Sequence, residues 1–185
     1  MLYLGHVISA AGASPDPAKL RVLADWPTLK TVREMQSLFR FVNFYGAYIS
    51  DATELTASLY DLTAARKGDE SINLKAEHLE SFEEIKQQFC AAPRLAHPDL
   101  KQPFVFYKDA SKIAIGAVLL QRDNSGVERA ISFFSKKLSP TQRNYSTFER
   151  ECLAIICALE HFRVYLLNCK FRLRTDHRAL AWLFS

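Results

Sequence analysis

Hydrophobic residues in the first quarter of the chain recur every three or four positions, a spacing typical of amphipathic helices. The first helix is predicted over about residues 17–24, because proline occupies its first turn and Pro27 must lie beyond its end. A second helix follows the capping box formed by Thr31 and Glu34. Before them, "LYLGHVIS" is predicted to be a short strand or hairpin arm that leads into the turn-rich loop "AAGASPDP".

Two further apolar stripes complete this half of the chain. One predicts a short helix around residues 55–62, and the other predicts a helix at roughly residues 76–90, which Pro93 ends. The polar stretch "ARKGDESIN" between them is predicted to be a loop. Residues 1–98 are therefore expected to form a mainly helical segment.

After Pro98 the pattern changes to that of strands. Residues 103–107, residues 113–121 and "ERAISFFSKKL" predict three sequential antiparallel strands. A capping box of Ser146 and Glu149 begins a long apolar-faced helix that continues into "VYLL", and "KFRLRTDH" predicts a fourth strand before the helical "RALAWLF". The chain is thus predicted to be α+β, with residues 99–185 forming a second domain of order β-β-β-α-β-α.

Composition narrows the class of protein. The 185 residues are 49% hydrophobic and 24% charged, which suits a globular chain, and the net charge of +4 is compatible with a polyanionic partner. The four cysteines form no C-x-x-C pair, so buried reduced thiols are expected rather than zinc ligands or disulfides. There is no basic leader and no apolar run of the ~20 residues that a membrane span needs. We expect an intracellular protein without a membrane partner, in the cytoplasm or the nucleus.

One carboxylate lies where the helical pattern predicts a buried face. Glu151 follows Phe148 by three residues and precedes Ile155 by four, so it falls at the edge of the core-facing stripe. A carboxylate there is costly unless it is paired or binds a metal. Two interpretations follow from the helix alone, an ion pair with an arginine such as Arg174 or a place among metal ligands.

Two aspartates favour the second interpretation. Asp109 and Asp176 each lie at or just past the end of a predicted strand, although aspartate is also common in turns. Together with Glu151 they would bring three carboxylates to one edge of the sheet, where divalent cations would have to neutralise them. Oxygen ligands suit Mg²⁺ or Mn²⁺, and two such ions about 4 Å apart can activate water for phosphodiester hydrolysis.

The order "YKDAS…IGAVLLQ…FERECLAIICALEHFR…RTDHRAL" closely resembles the ribonuclease H-like domain of reverse transcriptases from gypsy-type LTR retrotransposons. "YLGHVISAAGASPDPAKL" resembles the end of the palm with its primer-gripping hairpin, and "DWPTLKTVREMQSLFRFVNFYGAYI" resembles the thumb and connecting helices. The resemblance implies a ribonuclease H-like mixed sheet in residues 99–185, preceded by a palm-end hairpin and a thumb or connection segment in residues 1–98.

The resemblance also implies chemistry and partners. Asp109, Glu151 and Asp176 match the first three acidic metal ligands of the family, which binds two Mg²⁺ or Mn²⁺ ions and cuts the RNA strand of RNA–DNA hybrids. Contacts to the nucleic acid are expected from the following residues: Gly5, His6, Lys19, Arg21, Lys30, Arg33, Ser111 and His177. An ordinary solvated surface is the alternative for each of the basic ones. The rest of the polyprotein would be a further partner.

Some positions depart from the family pattern. Lys108 stands where threonine usually precedes the first aspartate, and strand alternation is expected to point its side chain away from the site. The sequence ends at Ser185, so we expect the last strand, the final helix and the fourth acidic residue to be lacking, together with the polymerase active site. Two functions are therefore predicted, a metal-dependent endoribonuclease acting on hybrids or an inactive remnant that binds nucleic acid or a partner chain.

Overall fold

A three-stranded antiparallel sheet begins the chain. The computed structural model describes residues 1–63 and 66–175. Strands β1 (Leu2–Tyr3), β2 (His6–Ser9) and β3 (Gly12–Pro15) follow one another in that order. The prediction of a loop after the first arm was wrong for Gly12–Pro15, because these residues pair with β2 and Ala13 also bridges to Leu95.

Four helices form the rest of the first half, as the hydrophobic pattern predicts. They are α1 (Pro17–Ala24), α2 (Val32–Tyr45), α3 (Ala52–Asp61) and α4 (Ala76–Cys90), with a 3-10 turn at Gly46–Tyr48 between α2 and α3. The capping box at the start of α2 is present: Thr31 Oγ1 accepts from the Glu34 N–H, and the Glu34 carboxylate accepts from the Thr31 N–H. The core of this half includes Leu38, Leu59 and Phe82.

The second half is built on a four-stranded mixed sheet. Its strands are β4 (Phe104–Ala110), β5 (Ala114–Arg122), β6 (Glu128–Lys137) and β7 (Phe171–Arg174), in the order β6-β5-β4-β7. The β4–β5 and β5–β6 pairs are antiparallel, whereas β4 and β7 are parallel. A parallel neighbour requires a crossover, and the helices between β6 and β7 supply it. The predicted α+β class is therefore confirmed.

Three helices make that crossover, α5 (Pro140–Arg143), α6 (Thr147–His161) and α7 (Arg163–Leu166). The single long helix predicted to reach "VYLL" is broken at Phe162, whose φ of −83° and ψ of 6° leave the helical region while its ring stays buried. Ser146 caps α6, and its hydrogen bonds lower the pKa of the Glu149 carboxyl. The predicted helix "RALAWLF" lies outside the described residues.

The sheet is covered on both faces. Helix α6 packs on one face, where Phe104, Phe106, Ile155 and Phe162 form a core. On the other face, α3 and the 3-10 turn pack against β6, and the Thr53 N–H donates to Ser135 Oγ at 3.0 Å. The two halves are thus in contact, and a domain boundary between residues 98 and 99 stays a prediction.

All four cysteines are free thiols, as expected, but not all are buried. Cys157 lies in the core, Cys152 and Cys169 are half-buried, and Cys90 is exposed at the end of α4, which the sequence prediction did not anticipate. Among the residues that the structure describes, no helix is long and apolar enough to cross a membrane.

Candidate functional site

Glu151 lies on the face of α6 that covers the sheet. It shares that face with Ala154, Ile155 and Ala158, which follow it at helical spacing, and the capped start of α6 fixes this orientation. Only 7% of the Glu151 surface is exposed. A carboxylate this buried needs a partner with positive charge.

That partner is Lys108. The Lys108 ammonium forms an ion pair with Glu151 Oε2, and the exposed fractions of the two side chains are 1% and 9%. Lys108 faces α6 because it alternates in register with the buried Phe104 and Phe106 along β4. The expected partner Arg174 lies elsewhere, with its guanidinium carbon 6.0 Å from the centre of the Tyr107 ring. Lys108 thus lies on the face of β4 opposite Asp109, as expected, and this is the face that Glu151 approaches.

Asp109 faces the other side of the sheet. Strand β4 continues to Ala110, three residues past the predicted end, so Asp109 lies within the strand and pairs with Gly116 on β5. Gly116 in turn pairs with Ser135 on β6, the residue that binds Thr53 of α3. Asp109, Gly116 and Ser135 therefore line one row across the face that α3 covers.

Asp109 is accessible to solvent and borders a cavity. Its side chain is exposed, and Oδ1 accepts a hydrogen bond from the Ala110 N–H at 2.8 Å. A cavity of about 190 Å³ beside it is also lined by Asp51 and Gly116. A Cβ atom on Gly116 would lie 3.3 Å from Asp51 Oδ1, so the residue before the start of α3 brings a second carboxylate to this face. Glu54 lines the same region.

The described residues do not fit the implied pair of metal ions. Asp109 and Glu151 lie on opposite faces of the sheet, and the charge of Glu151 is already balanced by Lys108. Within residues 1–63 and 66–175, no group of three or more His, Cys, Asp or Glu side chains could hold a metal. Asp176 lies outside the described residues, so the three-carboxylate site stays a prediction.

The predicted nucleic-acid contacts at the N-terminus belong to a well-fixed hairpin. Gly5 has a φ of +80°, and its carbonyl oxygen accepts a hydrogen bond from the Tyr45 hydroxyl at 3.0 Å. The His6 ring stacks on Phe44 with 5.1 Å between ring centres, and its Nδ1 lies 2.9 Å from the Tyr48 hydroxyl. This aromatic contact holds the hairpin against α2 and leaves Phe44 exposed beside it.

The basic residues predicted to contact phosphates are all exposed, namely Lys19, Arg21, Lys30 and Arg33. Arg33 forms an exposed ion pair with Asp69 at 3.2 Å. Such a pair contributes little to the stability of the fold. Ser111 shapes the turn between β4 and β5, because its Oγ donates to the Ala114 carbonyl and accepts from two backbone N–H groups. His177 lies outside the described residues, and nucleic-acid contact by all of these residues stays a prediction.

Sequence reasoning missed Asp51 and Glu54 as neighbours of Asp109. Asp51 precedes α3 with a φ of 54°, and its approach to Gly116 joins parts of the chain about sixty residues apart. No local pattern encodes such a contact. The register of β4, β5 and β6 is the one signal that could have pointed to it, since it places Asp109 and Ser135 on the same face.

Comparisons with known proteins agree with the fold. Residues 74–173 match the model of the RNase H-like domain found in reverse transcriptase. The retrovirus-related Pol polyprotein from transposon opus of Drosophila melanogaster is 34% identical over 189 residues, covering 97% of this chain and 19% of the relative. The Tf2-3 transposon polyprotein of Schizosaccharomyces pombe is 32% identical over 180 residues, covering 96% of this chain and 13% of the relative. The chain thus spans less than a fifth of these relatives.

Solved structures are similar over nearly the whole chain. The foamy viral protease-reverse transcriptase in complex with dsDNA has a TM-score of 0.82 at 21% identity and covers 100% of this chain and 38% of its own. The same protein in complex with an RNA/DNA hybrid has a TM-score of 0.80 at 21% identity, over 97% and 24% of the two chains. At this identity the likeness establishes the fold. With the family match over more than half of its length, the chain belongs to the RNase H-like domain family found in reverse transcriptase.

Proposed function

We propose that this chain is the part of a reverse transcriptase polyprotein that holds an RNA–DNA hybrid, with its hairpin and helices placed along the duplex. The observation that carries the proposal is its fold, which over 97–100% of the chain resembles a reverse transcriptase solved on dsDNA and on a hybrid. The net charge is +4, and three exposed basic residues are available to contact phosphate groups, namely Lys19, Arg21 and Lys30.

Fluorescence anisotropy with a labelled RNA–DNA hybrid tests this proposal over a range of salt concentrations. The expected result is binding that weakens linearly on a log–log plot of affinity against salt. Lys19→Glu with Arg21→Glu should weaken binding and flatten that slope, by about one for each lost phosphate contact. The matched control is Lys101→Glu with Arg163→Glu, which reverses two exposed charges where no contact is predicted. Failure of the wild-type chain to bind the hybrid would overturn the proposal.

Hydrolysis of the hybrid is the second candidate. It is favoured by the order of Asp109, Glu151 and Asp176, which matches the acidic pattern of the family. Asp109, Glu151 and Asp176 would have to hold the divalent ions, which would supply an activated water and stabilise the leaving oxygen. Incubation of a labelled hybrid with Mg²⁺ or Mn²⁺ tests it: cleavage by the wild type that Asp109→Asn abolishes would support hydrolysis. If wild type and variant are equally inert, duplex binding remains the function.

A further inference from the structure

We propose that Lys108 takes the place of a divalent metal ion beside Glu151, so that a side chain of the protein balances the charge of this carboxylate. The proposal rests on the buried ion pair between the two residues and on the side of the sheet that each occupies. It concerns metal binding alone and does not depend on whether the chain binds a nucleic-acid duplex.

The side chains of Lys108 and Glu151 carry opposite charges. The Glu151 carboxylate carries one negative charge, and the Lys108 ammonium balances it where both side chains are more than nine-tenths buried. A divalent ion coordinated by the same carboxylate oxygens would place two cationic centres next to each other. Repulsion between charges is strongest away from water, so the lysine and the ion compete for one carboxylate.

The side chains of Lys108 and Asp109 leave β4 in opposite directions. Successive residues of a strand point to opposite faces, so Lys108 and Asp109 cannot both approach α6. Lys108 follows the buried Phe104 and Phe106 onto the α6 face, and Asp109 follows Val105 and Tyr107 onto the other. The chain therefore presents an ammonium to Glu151 where a shared metal would require a second carboxylate.

Buried residues lie next to both members of the Lys108–Glu151 pair. Phe106 lies two residues before Lys108 on the same face, while Ala154 and Ile155 follow Glu151 along α6, and all three are buried. A hydrated Mg²⁺ ion keeps several of its water ligands in most protein sites, which takes room and solvent access. A lysine stem with a terminal ammonium instead fills the space between strand and helix with methylene groups.

Thermal unfolding with and without Mn²⁺ tests the proposal, in the absence of nucleic acid. The wild-type Tm should be the same in EDTA and in millimolar Mn²⁺, and titration calorimetry should detect no Mn²⁺ binding that depends on Glu151. Lys108→Asp gives Glu151 a second carboxylate in place of its cation, so its Tm should fall in EDTA and rise again by several degrees with Mn²⁺. Lys112→Asp, which replaces an exposed lysine four residues away, is the matched control and should leave the Tm unchanged in both conditions.

Lys108→Arg keeps the positive charge and covers the case in which Lys108→Asp does not fold. The arginine variant should stay insensitive to Mn²⁺, as the wild type does. Mn²⁺ binding by the wild type that Glu151→Gln abolishes would overturn the proposal, because Glu151 would then bind a metal in the presence of Lys108. A Lys108→Asp variant that folds but gains no response to Mn²⁺ would overturn it as well.

Discussion

The hydroxyl of Tyr45 donates a hydrogen bond to the carbonyl oxygen of Gly5 across forty residues of sequence, at 3.0 Å. Burial of this side chain, and secondarily the negative charge of Asp16, raise the pKa of the Tyr45 phenol and so move its ionisation further above neutral pH. Gly5 is suited to this contact, since a Cβ atom there would lie 2.8 Å from the Tyr45 oxygen. The bond links the tight turn of the hairpin to α2.

Replacing Tyr45 with phenylalanine should loosen this link. The Gly5 carbonyl loses its donor, so we expect the free energy of unfolding to fall by about 0.5–1.5 kcal/mol. Urea denaturation measures the change. Tyr3→Phe is the control, because Tyr3 is exposed and its hydroxyl should contribute less than about 0.5 kcal/mol. Equal stabilities of the Tyr45→Phe variant and the wild type would contradict the prediction.

Two glycines at positive φ should respond differently to alanine. At Gly12 (φ +127°) an added Cβ would lie 2.1 Å from the Leu95 carbonyl oxygen, whereas at Gly126 (φ +82°) nothing lies within 4 Å. Gly126→Ala should therefore cost only the backbone strain of about 1–2 kcal/mol. Gly12→Ala should add the displacement of the Ala13–Leu95 bridge and cost about 3 kcal/mol or more in denaturant unfolding. Similar costs for both variants would show that the Leu95 contact is unimportant.

The Lys108–Glu151 pair should be strongly coupled. Removing one partner leaves the other charge buried, so we expect Lys108→Met or Glu151→Leu to cost about 3–5 kcal/mol each. The double variant Lys108→Met/Glu151→Leu should cost far less than the sum of these values, because no buried charge remains. A double-mutant cycle in urea measures this coupling.

The exposed pair of Arg33 and Asp69, 3.2 Å apart, is the comparison for that cycle. Its coupling should be at most about 1 kcal/mol, since solvent screens the two charges. A Lys108–Glu151 coupling no larger than this would contradict the burial of the pair.

The turn between β5 and β6 should contain an unusually acidic aspartate. Hydrogen bonds from the Ser125 hydroxyl and then from Arg129 lower the pKa of Asp123 from 3.8 to about 2. A depressed carboxyl pKa stabilises the fold above the ordinary value, and this contribution is lost as the pH falls from about 4 through about 2. Carboxyl-carbon NMR titration should show that Ser125→Ala moves the pKa of Asp123 back toward 3.8. An Asp123 pKa near 3.8 in the wild type would contradict the prediction.

Local signals in the sequence were sufficient for most of the helices. Pro17 and Pro27 bound α1, and the capping box of Thr31 and Glu34 begins α2 where the pattern predicts it. Glu151 was also correctly predicted to face the sheet, because the spacing of its helix determines this. These features depend on residues within one or two turns of each other.

Features that depend on distant pairing could not be predicted in the same way. Strand β3 pairs with β2 and is also held by the bridge from Ala13 to Leu95, and nothing in "GASP" itself indicates a strand. The alternation of Lys108 and Asp109 was predictable, but which of them faces α6 was not. That choice is made by the packing of the whole sheet between α6 and α3.

The hydrogen bonds between Thr53 and Ser135, 3.0 and 2.9 Å long, also bear on how the chain can be divided. Phe133, two residues away on β6, packs against the core of the helical half. Severing the chain near residue 98 would leave this part of β6 facing water and would deprive Asp109 of its neighbour Asp51. The sheet half expressed alone should therefore be less soluble than the full chain.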